Sequence, residues 1–371
     1  MKIAFFDAKS YDMESFSEVN ENFGFKIKYF ETKLNTDSAL LTKGFDVVCV
    51  FVNDFVNEEV INILVNNGVK LIALRCAGFN NVDFKACHNK IKVVRVPQYS
   101  PYSVAEHTMG LMMALNRKIH KAYSRTRDGN FTLNGLLGTD LHGKTAGIIG
   151  TGRIAKILIG ILKGLGMNVL GYDKFPDEKA AKEIGYTYVT LDELYKESDI
   201  ISLHCPLTPE TMYLINYNSI KKMKDGVMII NTGRGKLIDT SMLIEGLKDK
   251  KISAAGLDVY EEEESYFFED DSADVLQDDV LARLLTFNNV IVTSHQAFFT
   301  REALDGIVET TFNNILEYHN KQELTNEVYY DEKENRIVEG ATVRGKAMFV
   351  CSSRPIAYEL YKNILALRPE W

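Results

Sequence analysis

Several features are missing from this 371-residue chain, and each absence removes a class of protein. None of the five cysteines (Cys49, Cys76, Cys87, Cys205 and Cys351) stands in a Cys-x-x-Cys pair, and their number is odd. Free, buried thiols in a reducing cytosol are expected, not a disulfide framework. No apolar run is long enough to span a bilayer, and Met1-Lys-Ile-Ala-Phe-Phe-Asp7 has too few apolar residues for a secretory core. The expectation is a cytoplasmic protein with no membrane partner. Positive charge is in deficit: the formal net charge of −8 repels phosphate backbones, so no nucleic-acid partner is expected. There is no P-loop and no Gly-x-Ser-x-Gly elbow. His, Cys and acidic residues do not cluster at ligand spacing, so no metal site is proposed.

What is present is an ordinary globular balance, 46% apolar and 25% charged, in a chain long enough for two domains. Short β-branched and aromatic runs alternate with helical stretches. The first strand candidates are Lys2–Asp7, Lys26–Phe30, Asp46–Val52, Lys70–Arg75 and Lys92–Val96, with helices over Ser10–Asn22 and Asn57–Asn66. The spacing predicts a mostly parallel sheet. Pro101–Arg127 reads as one long helix, apolar on nearly all sides, to be buried between domains or subunits. A second series follows, with strands Thr145–Gly150, Asn168–Tyr172, Asp199–His204, Val227–Asn231, Ala254–Asp258 and Val290–Thr293. Their near-continuous apolar runs suit strands covered on both faces. Asp258–Asp279 reads as a long acidic loop and Ala303–Tyr318 as a last helix.

The sharpest local motif is Gly150-Thr-Gly152-Arg-Ile-Ala155, between an apolar strand and a helix. Gly150 permits the tight turn, Gly152 lets the backbone approach a pyrophosphate, and Ala155 keeps helix and strand close. The helix N-terminus then offers free N–H groups to phosphates. The next strand ends at Asp173, about 20 residues on, where a carboxylate would bond a ribose 2′-hydroxyl. Asp173 would also repel a 2′-phosphate, so the expected cofactor is NAD, with neighbouring Lys174 tempering that preference.

Three later strand ends carry Arg234, Asp258 and His295, and open α/β sheets bind ligands beyond such ends. Oxidation of a 2-hydroxy acid needs a group to take the hydroxyl proton, and His295 is suited to it. Glu263 would hold the imidazole in orientation, and Arg234 offers a forked, permanent charge to the carboxylate and carbonyl oxygen. His107 lies in the apolar helix and reads as structural. Cys205 and Pro206 end a strand that would face the cofactor.

Gly150-Thr-Gly-Arg-Ile154, His204-Cys-Pro-Leu-Thr-Pro209, Asn231-Thr-Gly-Arg-Gly235, Leu257-Asp-Val-Tyr-Glu261 and His295-Gln-Ala-Phe298 stand in that order, and together they resemble the D-isomer-specific 2-hydroxyacid dehydrogenases. Tyr260–Asp270 and Arg125–Phe131 resemble the bacterial fermentative D-lactate branch. The resemblance covers about residues 1–328.

It implies an α/β protein of two Rossmann-like or flavodoxin-like domains with parallel sheets. A discontinuous substrate domain (1–100 plus 297–330) would enclose an inserted NAD-binding Rossmann domain (101–296). The implied activity is reversible hydride transfer between NADH and pyruvate giving D-lactate. A relative acting on bulkier 2-keto acids, or an NAD-sensing binding protein without turnover, is the alternative. The resemblance assigns catalysis to Arg234, Glu263 and His295. It assigns cofactor contacts to Gly150, Gly152, Arg153, Ile154, Asp173, Cys205, Pro206, Thr211, Thr232, Gly233 and Asp258. Substrate contacts fall to Ala77, Gly78, Tyr99, Arg234 and Phe298. A homodimer or homotetramer is implied, with the helix from residue 101 at the interface. Gly233 replaces a serine found in many relatives, which would loosen the aim of Arg234. Residues 329–371 lie beyond the family pattern. Arg344–Arg354 and the segment after it read as strand then helix, and resemble a fragment of a type I restriction-enzyme translocating subunit. A loosely docked tail without activity is expected.

Overall fold

A computed structural model describes residues 1–263, 266–270 and 272–340. By its internal contacts the chain forms two compact units, one of residues 1–98 together with the segment from 305 onward, the other of 99–304. Both are α/β with parallel sheets.

The first unit holds β1 (Lys2–Phe5), β2 (Lys26–Tyr29), β3 (Val47–Val50), β4 (Leu71–Leu74) and β5 (Lys92–Val94), in the order β2-β1-β3-β4-β5. This is the flavodoxin-like arrangement. β3 and β4 are buried at every residue, as central strands covered on both faces must be. Its helices are Ser10–Asn20, Glu58–Asn66 and Phe84–Cys87, and the long Arg301–His319 helix leads back into it. Asn57 caps its helix by accepting from the Val60 N–H, and Asp83 does the same for Lys85 and Ala86. Aromatic packing holds the helices to the sheet. Phe312 is 1% exposed and lies 5.3 Å from the ring of Phe16, 5.1 Å from Phe23 and 5.5 Å from Phe25.

The second unit contains β6 (Thr145–Ile149), β7 (Asn168–Tyr172), β8 (Thr187–Tyr188), β9 (Ile200–Leu203), β10 (Val227–Asn231), β11 (Ile252–Leu257) and β12 (Val290–Val292). They form one sheet in the order β12-β11-β10-β9-β6-β7-β8. The chain runs outward in one direction from β6 and then returns to β9, which makes β6/β9 the switch point where such sheets bind ligands. Five of the helices between these strands start on side chains that accept the orphan N–H groups: Asp177, Thr190, Asn216, Asp239 and Asp278.

The helix expected over Pro101–Arg127 is two helices, Pro101–Asn116 and Ile119–Arg127. Lys118 between them has φ +54°. Asn116 ends the first: its buried side chain turns to the Thr139 backbone, donating to the carbonyl at 2.7 Å and accepting from the N–H at 3.2 Å. The first helix buries Val104, Thr108, Leu111, Met112 and Leu115 and leaves Tyr102, Glu106 and Gly110 exposed, so only part of its surface is covered within the unit.

A hairpin of β13 (Val328–Asp331) and β14 (Arg336–Glu339) belongs to the first unit. The expected loose docking of the tail does not hold for this part. Val328 is buried, Glu327 bridges to Val94 of β5, and the Tyr330 carbonyl lies 3.0 Å from Nδ1 of His88. Backbone pairing to a neighbouring strand and a buried valine fix it, features that composition alone hid. Residues 341–371, with the strand-then-helix reading and the restriction-enzyme resemblance, lie outside the described residues. Among the described residues no helix is long and apolar enough to cross a membrane.

Phe312→Ala removes the ring on which three others converge. It is expected to lower stability by roughly 3–5 kcal/mol, read as a lower urea midpoint of the unit's unfolding.

Candidate active site

The glycine turn closes β6 against β9. The Gly150 N–H donates to the Tyr172 carbonyl at 2.8 Å, and its φ is +88°. A Cβ at Gly150 would stand 2.5 Å from the Cys205 nitrogen and 2.7 Å from the His204 carbonyl oxygen, so no other residue fits without moving that backbone. A Cβ at Gly152 would meet nothing within 4 Å, and no side chain caps the Arg153–Gly164 helix that starts there. The first N–H groups of this helix are thus left for an anion. Arg153 is exposed and Ile154 half-buried beside them, while Ala155 is fully buried against the sheet. Asp173 is locked in place: one oxygen accepts from the Thr151 N–H at 2.7 Å, the other from the Phe175 N–H at 2.8 Å. These features fit a dinucleotide with a free ribose diol.

Around Cys205 and Pro206 the chemistry is quiet. Burial pushes the His204 imidazole down to about 4, so it stays neutral, and its Nε2 lies 2.9 Å from Ser202 Oγ. Burial pushes the Cys205 thiol up to about 11, so it is no nucleophile. The Thr211 hydroxyl is used within its own turn, accepting from the Thr208 N–H and donating to the Pro206 carbonyl, each at 2.7 Å. Thr232 is also turned inward, its hydroxyl 2.9 Å from that of Thr108.

Arg234 leaves the end of β10 on a turn that Asn231 brackets. The Asn231 side chain accepts the Gly233 N–H at 3.0 Å and donates to the Arg234 carbonyl at 2.9 Å. A Cβ at Gly233 would meet only ordinary contacts from 3.5 Å outward, so the glycine is not what sets the turn, and the bracket aims Arg234 without a serine. Gly235 is different, because a Cβ there would come within 2.0 Å of the Tyr260 carbonyl oxygen. That close approach lays the arginine turn against the segment carrying Glu263. Among the described residues no carboxylate pairs with the Arg234 guanidinium, whose only bond runs to its neighbour's carbonyl at 2.8 Å.

The acidic run after Tyr260 is sorted residue by residue. Glu261 accepts from the Thr240 N–H at 2.7 Å and the Tyr213 hydroxyl at 2.9 Å, and Glu262 lies 3.5 Å from Lys236. Among the described acidic residues of the run, Glu263 is the one that reaches the histidine: its Oε1 is 2.8 Å from Nδ1 of His295, and its Oε2 accepts from the Tyr260 N–H at 3.0 Å. With Nδ1–H given to Glu263, Nε2 is the ring atom that can exchange a proton, and it bonds nothing among the described residues.

His295 has φ +52°, a left-handed backbone that a side chain adopts only when held. Asp258 does the holding. It is fully buried and accepts from the Thr293 hydroxyl at 2.6 Å and from the N–H groups of Gln296 at 2.9 Å and Ala297 at 2.8 Å. Its own carbonyl accepts the His295 N–H at 2.8 Å. The sequence offers Asp258 as a cofactor contact, but its side chain is engaged with the loop that presents His295. His107 joins the same network, 3.1 Å from Thr293 Oγ1. Phe298 follows, its ring 6.1 Å from that of Tyr99 in an edge-to-face pair. Sequence reading missed the Asn231 bracket and the Thr293 clasp; an asparagine closing an apolar strand before Gly and Arg was the available signal.

In the first unit, Ala77 and Gly78 follow β4. Among the described residues neither of their N–H groups donates a hydrogen bond, although both residues are half-buried. Adjacent unpaired N–H groups of this kind suit an anion.

Comparison with known proteins agrees with this geometry. Residues 109–297 match the family profile described as D-isomer specific 2-hydroxyacid dehydrogenase, NAD binding domain. A "2-hydroxyacid dehydrogenase homolog" of Haemophilus influenzae is 52% identical over 316 residues, covering 85% of this chain and 95% of the relative. The D-lactate dehydrogenase of Escherichia coli is 51% identical over 329 residues, covering 88% of this chain and all of that protein. The apo structure of the Escherichia coli enzyme superposes with a TM-score of 0.82 at 49% identity, covering 88% of this chain and 99% of that one. The chain belongs to the D-isomer-specific 2-hydroxyacid dehydrogenases, and its cofactor is NAD.

Gly150→Ala is expected to weaken NADH binding at least about tenfold, because the methyl strikes backbone in a left-handed residue. Gly233→Ser should leave binding within about twofold, since ordinary contacts surround that site. Fluorescence titration with NADH separates the two outcomes.

Proposed function

We propose that the protein is an NAD-dependent D-lactate dehydrogenase, reducing pyruvate to D-lactate and running in reverse when lactate is in excess. The observation that carries this is the His295–Glu263 pair at 2.8 Å, beside an arginine turn, in a chain half-identical to D-lactate dehydrogenase of Escherichia coli.

Roles follow from the chemistry of the reaction. NADH, when bound, supplies the hydride. The Ala77 and Gly78 N–H groups take the substrate carboxylate. Arg234, which has no acidic partner among the described residues, gives its guanidinium to the keto oxygen and the carboxylate, and stabilises the negative charge that grows on that oxygen. His295 donates a proton from Nε2 to the same oxygen, completing the hydroxyl. Glu263 fixes the ring through Nδ1 and balances the charge of the imidazolium. In oxidation the same atoms act in reverse, and Nε2 accepts the hydroxyl proton. Gly150, Gly152, Arg153 and Ile154 hold the pyrophosphate and Asp173 the ribose. Cys205, Pro206, Thr211, Thr232 and Gly233 line the cofactor path mainly through their backbone. Tyr99 and Phe298 bound the space beside the substrate, their rings in edge-to-face contact.

The reading extends to assembly and location. Phe131, Leu133 and Leu137 are each more than three-quarters exposed, and Tyr102 and Tyr123 are exposed as well. So much bare apolar surface suits a subunit interface, which supports a homodimer or homotetramer. Cys49, Cys76, Cys87 and Cys205 are free thiols, which supports a reducing, cytoplasmic location.

The functional test is NADH oxidation with pyruvate followed by chiral analysis of the product. D-lactate is expected, and L-lactate or no turnover would overturn the reading. His295→Gln should bind NADH as well as the parent and lose about 10²- to 10⁴-fold in turnover; retained turnover would remove its assigned role. Leu133→Asp together with Leu137→Asp is expected to lower the mass measured by light scattering, and an unchanged mass would exclude that surface as the interface.

A further inference from the structure

The hairpin beyond the family pattern touches the loop read as the carboxylate site. Arg95 follows β5, and its Nη1 donates to the Ala77 carbonyl at 2.7 Å. Its Nη2 forms an ion pair with Glu339, the last residue of β14. The guanidinium also lies over the Phe79 ring, 5.1 Å from its centroid. Backbone contacts fix the arginine at its root: its N–H donates to the Asn326 carbonyl at 3.1 Å, and its carbonyl accepts from Asn314 at 2.8 Å. The Arg95 side chain is 12% exposed and that of Glu339 39%, so the pair is shielded on the arginine side. Arg95 Nε is buried with no partner among the described residues. Among the described residues, the Phe79 ring and Glu339 are what aim the guanidinium at Ala77. The carboxylate is itself placed by the register of the hairpin, in which Glu339 pairs with Val328.

We propose that Glu339 is a positioning residue for substrate binding, acting through Arg95 on the Ala77–Gly78 loop. The proposal rests on the reading of that loop as the carboxylate site. Holding the Ala77 carbonyl fixes the tilt of the peptide that follows it, and hence the direction of the Gly78 N–H. Release of the arginine leaves that N–H free to wander, which weakens anion binding without touching the hydride and proton steps. The segment after Val328 thus gives this chain a control over substrate affinity built outside the family pattern.

Steady-state kinetics on the full chain test this, using pyruvate at saturating NADH, for Glu339→Gln, Arg95→Met and the double variant. Glu339→Gln is expected to raise the pyruvate KM about 3- to 10-fold, with kcat and the NADH KM within about twofold of the parent. Arg95→Met should raise the pyruvate KM at least as much, and the double variant no further than Arg95→Met alone. An unchanged KM in Glu339→Gln beside a raised one in Arg95→Met would overturn the role of Glu339 and leave the loop assignment standing. An unchanged KM in both would overturn the loop assignment and the proposal with it. A fall in kcat with a raised NADH KM, or additive effects in the double variant, would show damage unconnected with the loop and also overturn it.

Discussion

One buried carboxylate, Asp258, governs the geometry of the site. His295 stands in a left-handed conformation, which costs a residue with a side chain about 1 kcal/mol and persists only where neighbours impose it. Asp258 grips both ends of the loop that bears it. The aspartate carbonyl takes the His295 N–H, while its side chain takes the next two N–H groups and the Thr293 hydroxyl. Removing the carboxylate would take the acceptor from three donors at once, among them the buried Ala297 N–H. The backbone strain has a consequence for chemistry: it turns the imidazole so that Nδ1 meets Glu263 and Nε2 points away from it.

A second constraint is the closeness of backbone to backbone. Gly150 lies against the chain at His204 and Cys205, and Gly235 against Tyr260, each at distances where a methyl group cannot stand. The first contact leads into a helix whose N-terminus no side chain caps. The second brings the arginine turn beside the segment that carries Glu263. The two turns are thus placed by the same device, a glycine following a parallel strand and lying against backbone.

Much of this was legible in the chain. The strands announce themselves because they are buried on both faces, so Val227–Asn231 and Ile200–Leu203 are nearly free of polar residues. The glycine turn and Asp173 follow from a spacing that chemistry demands. Other parts depend on contacts distant in sequence and leave no local signature. The break at Lys118 arises because Asn116 turns to Thr139. The acidic run after Tyr260 looks uniformly solvated, yet Glu261, Glu262 and Glu263 find three different partners. Asp258 reads as an available acid at a strand end, and only the fold reveals that its oxygens are engaged. The hairpin after Glu327 was hidden because residues 329–340 are polar and short, with their pairing supplied by one another and by β5.

The central claim is that His295 and Arg234 meet one substrate oxygen, with Glu263 behind the imidazole. The most direct measurement is a crystal structure with NADH and oxamate, a non-reacting mimic of pyruvate. The oxamate amide oxygen, which stands in for the keto oxygen of pyruvate, is expected within hydrogen-bond reach, about 3 Å, of both His295 Nε2 and the Arg234 guanidinium. Oxamate bound with that oxygen on other groups, or His295 turned from it while still paired with Glu263, would contradict the account.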